Sequence, residues 1–160
     1  MATKSLVKME YRKEQGGGTV EVEQWPEASG QSFKAGQLVY QVSGLMTACA
    51  DDAVLIWGIS TEDASGTANT MLGIIPLTVN SILSGCAYHA TAASAITAWS
   101  SCGLLRPLVV ANNKCYVDVT DQTTPCFVIY KPDPLDEVGD IYGRFYVKIV
   151  QSVLQTTVGA

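Results

Sequence analysis

The sequence predicts an all-β fold, an antiparallel β-barrel or β-sandwich with at most one short helix and an N-terminal arm. Three observations carry that prediction. Thr19–Gln24 (TVEVEQ), Gln37–Val42 (QLVYQV) and Lys114–Thr120 (KCYVDVT) alternate side-chain type with period two, as strands with one buried face do. Turn signals recur roughly every 8–12 residues, the spacing of sandwiches and barrels. No stretch alternates strand with helix in the rhythm of a doubly wound sheet. A chain of 160 residues suits one domain. It divides into a flexible arm over 1–18 and a single β-domain over 19–160.

The arm mixes Leu6, Val7, Met9 and Tyr11 with charged residues and ends at Gly16-Gly17-Gly18. Three successive glycines lose too much backbone entropy to lie inside a strand or helix, so they read as a hinge. Thr19–Gln24 follows as a strand that Trp25-Pro26 stops, because proline cannot donate to a ladder. Gln37–Val42, a Ser43-Gly44 turn and Leu45–Ala48 read as a hairpin. Ala53–Ser60 (AVLIWGIS) reads as a strand buried on both faces, and Thr61–Thr70 as a loop. Met71–Val79 is a strand whose Pro76 implies an edge or a bulge. The alanine-rich Tyr88–Ser101 is the predicted helix, ended by Gly103. Leu104–Ala111, interrupted by Pro107, turns at Asn112-Asn113 into Lys114–Thr120. Cys126–Lys131 is a short strand, Pro132–Asp140 a rigid acidic loop, and Ile141–Val153 a long closing strand.

Composition narrows the function classes. Charged residues make up only 16% of the chain, against about a quarter in ordinary domains. Such a surface is either hidden against neighbours or built of threonine-rich sheet faces. The net charge is −5 and no basic stripe exists, so nucleic-acid binding lacks its electrostatic footprint. No apolar run reaches the roughly 20 residues of a membrane span. Met-Ala-Thr-Lys-Ser leads into charged sequence rather than an apolar core, so no secretory signal is expected. Five widely spaced cysteines with no CxxC pair then read as free thiols in a reducing compartment.

No catalytic residue is expected. His89 is the one histidine, no GxSxG elbow surrounds any serine, and Cys86 lies too close in sequence to His89 for a typical nucleophile and base. No cofactor is expected either, since Gly16–Gly18 lacks the lysine and strand–loop–helix setting of a phosphate loop. Asp133, Asp136, Glu137 and Asp140 crowd one loop, as calcium ligands do, but their spacing does not fit an EF-hand and no metal is expected. The loop reads instead as solvated or as docking on a basic partner, which makes Asp133, Asp136 and Glu137 candidate contacts. The arm residues Leu6, Val7, Met9 and Tyr11 are candidate apolar anchors. Trp25, at the end of a strand, is a candidate exposed aromatic, whereas Trp57 reads as core.

Several runs resemble one family. These are SGQSFKAGQLVYQVSG from Ser29, LMTACADDAVLIWGISTEDASGTANT from Leu45, IIPLTVNSIL from Ile74, NKCYVD at Asn113–Asp118 and VIYKPDPLDEVGDIYGRFYVKIVQSVLQ from Val128. Together they resemble the head decoration, or capsid cement, proteins of tailed bacteriophages. The resemblance implies a virion structural protein that binds the outside of an assembled icosahedral shell, with the major capsid protein as partner. It also implies a homo-oligomer, a trimer before a dimer. A carbohydrate- or host-receptor-binding virion domain is the alternative, to be favoured by exposed aromatics beside carboxylates in one groove.

The thiol reading has a direct check. Titration of the denatured, unreduced protein is expected to find five reactive thiols, the full cysteine count. A count of one would mean two disulfides and an oxidising compartment.

Overall fold

The computed structural model describes residues 2–120 and 122–156. In chain order the strands are β1 (Glu10–Glu14), β2 (Glu23–Pro26), β3 (Leu38–Val42), β4 (Leu45–Ala48), β5 (Gly58–Ser60), β6 (Met71–Pro76), β7 (Ser81–Tyr88), β8 (Leu105–Arg106), β9 (Leu108–Ala111), β10 (Lys114–Asp118), β11 (Phe127–Pro132) and β12 (Arg144–Ile149). The only helical pieces among the described residues are single 3₁₀ turns at Ala92–Ser94, Trp99–Ser101 and Gln151–Val153. The chain is all-β, as the periodicity predicts.

Two sheets share the strands. One runs β8–β11–β12–β7–β10–β9, with β1 paired antiparallel to β7. Leu83 and Ser84 of β7 pair with both β1 and β12, so these two strands lie on opposite edges of β7. The parallel partner β10 takes Ala87 and Tyr88. The second sheet runs β2–β6–β5–β3–β4 and curls nearly shut. Just past β2, Glu27 bridges Met46 of β4, and the Ala28 amide donates to the Met46 carbonyl at 2.9 Å.

Strand alternation separates two cores. Val39, Met46, Leu72 and Ile74 point into the small barrel, where Phe33, Trp25 and Trp57 join them. Leu38, Tyr40, Ile59 and Ile75 point the other way and meet Leu83, Val117, Phe127, Phe145 and Val147 of the larger sheet. One strand thus serves both interiors, because successive side chains leave a strand on opposite faces. The tail after β12 crosses between the layers: Ile56 bridges Leu154, and the Gln155 amide donates to the Ile56 carbonyl.

The amino-terminal segment departs from expectation. Residues 1–18 read as an arm that need not pack on its own domain, yet β1 is a strand of the larger sheet and Met9 is fully buried in the main core. The slot for Met9 is made by two glycines. A Cβ on Gly85 would lie 2.7 Å from the Met9 Cε, and one on Gly36 would lie 2.6 Å from the Met9 carbonyl oxygen. The glycine triplet acts as a turn after β1, with φ of +87°, +85° and +113°.

Other elements shift for identifiable reasons. The strand expected at Thr19–Gln24 starts only at Glu23 and runs through Trp25 to Pro26, because Trp25 packs edge-on against Trp57 at 5.1 Å. Of Ala53–Ser60, only Gly58–Ser60 is strand; Val54 is 59% exposed despite its apolar run. The predicted helix over Tyr88–Ser101 does not form. Ile96 pairs instead with Ile141, and Tyr142 donates to the Ala95 carbonyl at 2.7 Å, so sheet-like pairing overrides alanine propensity. The long strand expected from Ile141 is confined to Arg144–Ile149. The hairpin turns hold, with Ser43-Gly44 and Asn112-Asn113 all at positive φ as tight two-residue turns require.

Seating Met9 in this slot, with Ala2–Lys4 docked on Asp140 and Ile141, makes residues 2–10 part of the fold. Met9→Ala is expected to destabilise the protein by about 2–5 kcal/mol, the range for emptying a buried methionine site. Equilibrium urea denaturation measures it, and a loss under about 0.5 kcal/mol would return the segment to the status of a loose arm.

Candidate functional site

The acidic loop and the amino-terminal segment fold onto each other at one side of the larger sheet. Pro132 ends β11 and turns the chain out, and the three aspartates that follow, Asp133, Asp136 and Asp140, are claimed by donors of the same chain. Asp133 is fully buried. Its Oδ1 accepts the Leu135 amide at 2.9 Å, and its Oδ2 accepts the Ser84 hydroxyl at 2.7 Å and an Arg12 guanidinium nitrogen at 3.4 Å. Asp136 meets Arg144 fork to fork: Nε reaches Oδ2 at 2.9 Å, the second nitrogen reaches Oδ1 at 3.1 Å, and the Arg144 amide also donates to Oδ2 at 2.9 Å. Asp140 accepts the Ala2 amide at 2.9 Å and the Glu137 amide at 3.2 Å, with the Lys4 ammonium 3.4 Å away. Backbone bonds complete the docking, since Lys4 donates to the Ile141 carbonyl and Ile141 to the Ala2 carbonyl.

This geometry sets the titration of the loop. The Arg144 fork holds Asp136 below the usual carboxylate range. The Ala2 amide, followed by Glu137 and Lys4, does the same for Asp140. Arg144 is pushed up in turn, chiefly by Asp136. Charge-assisted, bidentate pairs of this kind are stronger and more directional than neutral hydrogen bonds.

A frame so tied presents its remaining side chains outward. Leu135 is 65% exposed and Val138 43% exposed on the loop itself. Gly139 donates to the Thr97 carbonyl at 3.0 Å, which ties the acidic loop to the segment that leads into the 3₁₀ turn at Trp99–Ser101. Trp99 is 64% exposed. Three large apolar side chains are thus exposed on two segments joined by a backbone hydrogen bond, with Glu137 exposed between Leu135 and Val138 in the chain. Exposed apolar side chains gathered in this way mark interaction surfaces more often than apolar residues scattered singly.

The residues singled out by sequence divide sharply. Met9 belongs to the domain's own core, and Leu6 is half-buried. Val7 is exposed at its side chain while its backbone contacts the Cys86 thiol. Tyr11 packs against the main core and donates its hydroxyl to Glu14 at 2.8 Å. Trp25 is committed to Trp57 and donates to Glu23 at 3.0 Å, so it is not a free aromatic surface. Asp133 and Asp136 face inward onto Arg12 and Arg144, leaving Glu137 as the one acid of that set open to a partner. Leu135 and Val138 were legible as apolar residues in loop sequence, but the acids around them drew the reading toward charge, while Trp99 fell inside the expected helix over Tyr88–Ser101. His89 accepts the Thr91 amide at 2.9 Å. The thiols of Cys49, Cys115 and Cys126 are buried in the main core, and desolvation raises all three, Cys115 to about 12.

Comparison with protein-family models, curated proteins and solved structures finds no match to this chain.

The depressed carboxylates predict acid sensitivity with a definite sign. Asp136 and Asp140 bind protons less readily folded than unfolded, so their stabilisation is fully present above the unfolded value near 3.9 and is lost as pH falls through the lower folded values. Denaturation midpoints measured from pH 6 down to about pH 2 are expected to fall more steeply for the wild type than for Asp136→Asn. Parallel curves would show that the Arg144 fork does not couple folding to pH.

Proposed function

We propose that this chain is a virion structural protein, a decoration or cement protein that binds the outer surface of an assembled icosahedral phage capsid by protein–protein contact. The observation that carries the proposal is the exposure of Trp99, Leu135 and Val138 on two hydrogen-bonded segments, which we read as one apolar ridge braced by the Asp136–Arg144 pair of the acidic loop. A rigid frame loses little conformational entropy when its apolar side chains are covered, so more of the burial remains as affinity. The motif resemblance supplies the partner class, the major capsid protein, and a homo-oligomeric form, a trimer before a dimer. The low charged content suits a surface that is covered in the assembly.

The mechanism is linkage rather than chemistry. A ligand that binds the assembled shell and not its dissociated subunits stabilises the shell by mass action. Many copies on one particle turn a modest contact into a large total effect. In this reading the amino-terminal segment is a structural element and the gripping surface is the ridge.

Co-sedimentation with expanded empty shells of the cognate phage tests the proposal. The wild type is expected to pellet with shells and to remain in solution with free capsid subunits. Trp99→Ala combined with Leu135→Ser, both at exposed positions, is expected to weaken shell binding at least about tenfold, or ~1.4 kcal/mol, without moving the denaturation midpoint. Equal binding to shells and subunits, or unchanged binding by the double variant, would overturn it.

A further inference from the structure

The outer face of the larger sheet is covered at one end only. Where β7 and β12 present Ser84, Cys86 and Arg144, the acidic loop and residues 2–9 lie over them. Next to this covered zone the face opens into a cleft of about 360 Å³. Its floor is Ile82 and Tyr146, one wall is Tyr130 and Lys131, and the other is Lys13 with the Gly16–Gly18 turn. Lys148 reaches its rim and donates to Gln15.

The cleft is cationic in a chain of net charge −5. Lys13, Lys131 and Lys148 make no ion pair among the described residues. The nearby acids are engaged elsewhere. Asp133 and Asp136 are matched to Arg12 and Arg144; Glu14, in the cleft wall, is held by the Tyr11 hydroxyl at 2.8 Å and the Thr78 hydroxyl at 2.9 Å and is the one acid of the lining, outnumbered by the three lysines.

Two of the ammonium groups are also held in place. The Lys131 Nζ sits 5.7 Å from the Tyr146 ring centre, and the Lys148 Nζ sits 5.8 Å from that of Tyr130. Contacts of this kind orient a cation on an aromatic face and reduce the freedom it must give up when an anion arrives. Both register breaks of the sheet flank the same cleft, one between Tyr11 and Lys13 and the other between Ile129 and Lys131. A bulge re-aims side chains, and bulges concentrate beside functional sites. The glycine turn leaves its wall without side chains, so another main chain can approach closely.

We propose that this cleft binds a short acidic peptide segment of a partner protein, its carboxylates seated among Lys13, Lys131 and Lys148. Ammonium groups act as point charges that a carboxylate can meet from several directions, whereas the cleft has no arginine to grip a phosphate bidentately. A long polyanion would extend beyond the cleft over a chain whose net charge is −5, which disfavours nucleic acid. The site is separate from the apolar ridge, so the two surfaces can be tested independently.

Fluorescence anisotropy with a labelled hexaglutamate peptide tests the assignment. The wild type is expected to bind saturably, and more weakly as salt is raised. Lys131→Glu with Lys148→Glu is expected to weaken binding about tenfold or more. Lys34→Glu with Lys114→Glu, which changes net charge equally but lies elsewhere, is expected to change it by less than about twofold. Lysine acetylation of the wild type, read by mass spectrometry, gives a check that requires no variant to fold. Hexaglutamate is expected to protect Lys13, Lys131 and Lys148 and not Lys34 or Lys114. Absence of saturable binding, equal losses in the two double variants, uniform protection, or tighter binding of a heparin hexasaccharide or oligo-dT than of hexaglutamate would each overturn the proposal.

Discussion

Strand β7 is used on both edges, and the position of every functional surface follows from that. β12 occupies one edge along Leu83–Cys86, while β1 and then β10 occupy the other. With no edge left free, Ser81–Ala87 is buried throughout, and small residues are needed where neighbours crowd it. Gly85 admits the Met9 side chain, Ser84 hydrogen-bonds Asp133, and Cys86 contacts Val7. The same strand therefore anchors the amino-terminal segment, the acidic loop and the floor of the cationic cleft. A larger side chain at Gly85 would displace Met9 and, with it, the start of β1.

Charge is distributed by a comparable economy. The two arginines nearest β7 are matched to Asp133 and Asp136 of the loop, and Lys13, Lys131 and Lys148 of the cleft make no ion pair among the described residues. Arginine suits the enclosed positions because its planar fork satisfies a carboxylate at two points, as Arg144 does with Asp136. Lysine suits the open cleft, where its stem can lie along a tyrosine ring and its charge can remain solvated. One sheet face thus carries a neutralised, rigid half and a cationic, open half.

What could be read from the chain was the local part. Period two at Gln37–Val42 and Lys114–Thr120, the Ser43-Gly44 and Asn112-Asn113 turns, and the break at Pro107 are properties of neighbouring residues, and the strands around them came out close to their expected bounds, whereas Thr19–Gln24 kept only its last two residues as strand. β7 was not legible, because SILSGCAY carries no alternation; a strand buried on both faces leaves no polar side to mark its period. The amino-terminal segment misled for the opposite reason. Its charges suggested solvent, yet Lys4 and Arg12 are spent on Asp140 and Asp133, more than a hundred residues away. The acidic loop misled likewise, since only the fold shows that its carboxylates turn inward and its leucine and valine outward. The cleft combines residues of four separate segments, and no single stretch of sequence could announce it.

The docking of Ala2–Lys4 on Asp140 and Ile141 has a consequence for how the protein is made. Ala2–Lys4 leaves the ribosome long before the Asp140 and Ile141 that seat it, and β7 gains its second antiparallel partner later still, with Arg144–Ile149. Until then β1 and Met9 have half a slot, and the apolar face of β7 lies open. Long-range strand pairing of this kind slows folding and lengthens the exposure of such faces. β1, Met9 and β7 therefore stay incompletely paired until Arg144–Ile149 has emerged, and the yield of folded protein in a cell rests on β12 as much as on β1.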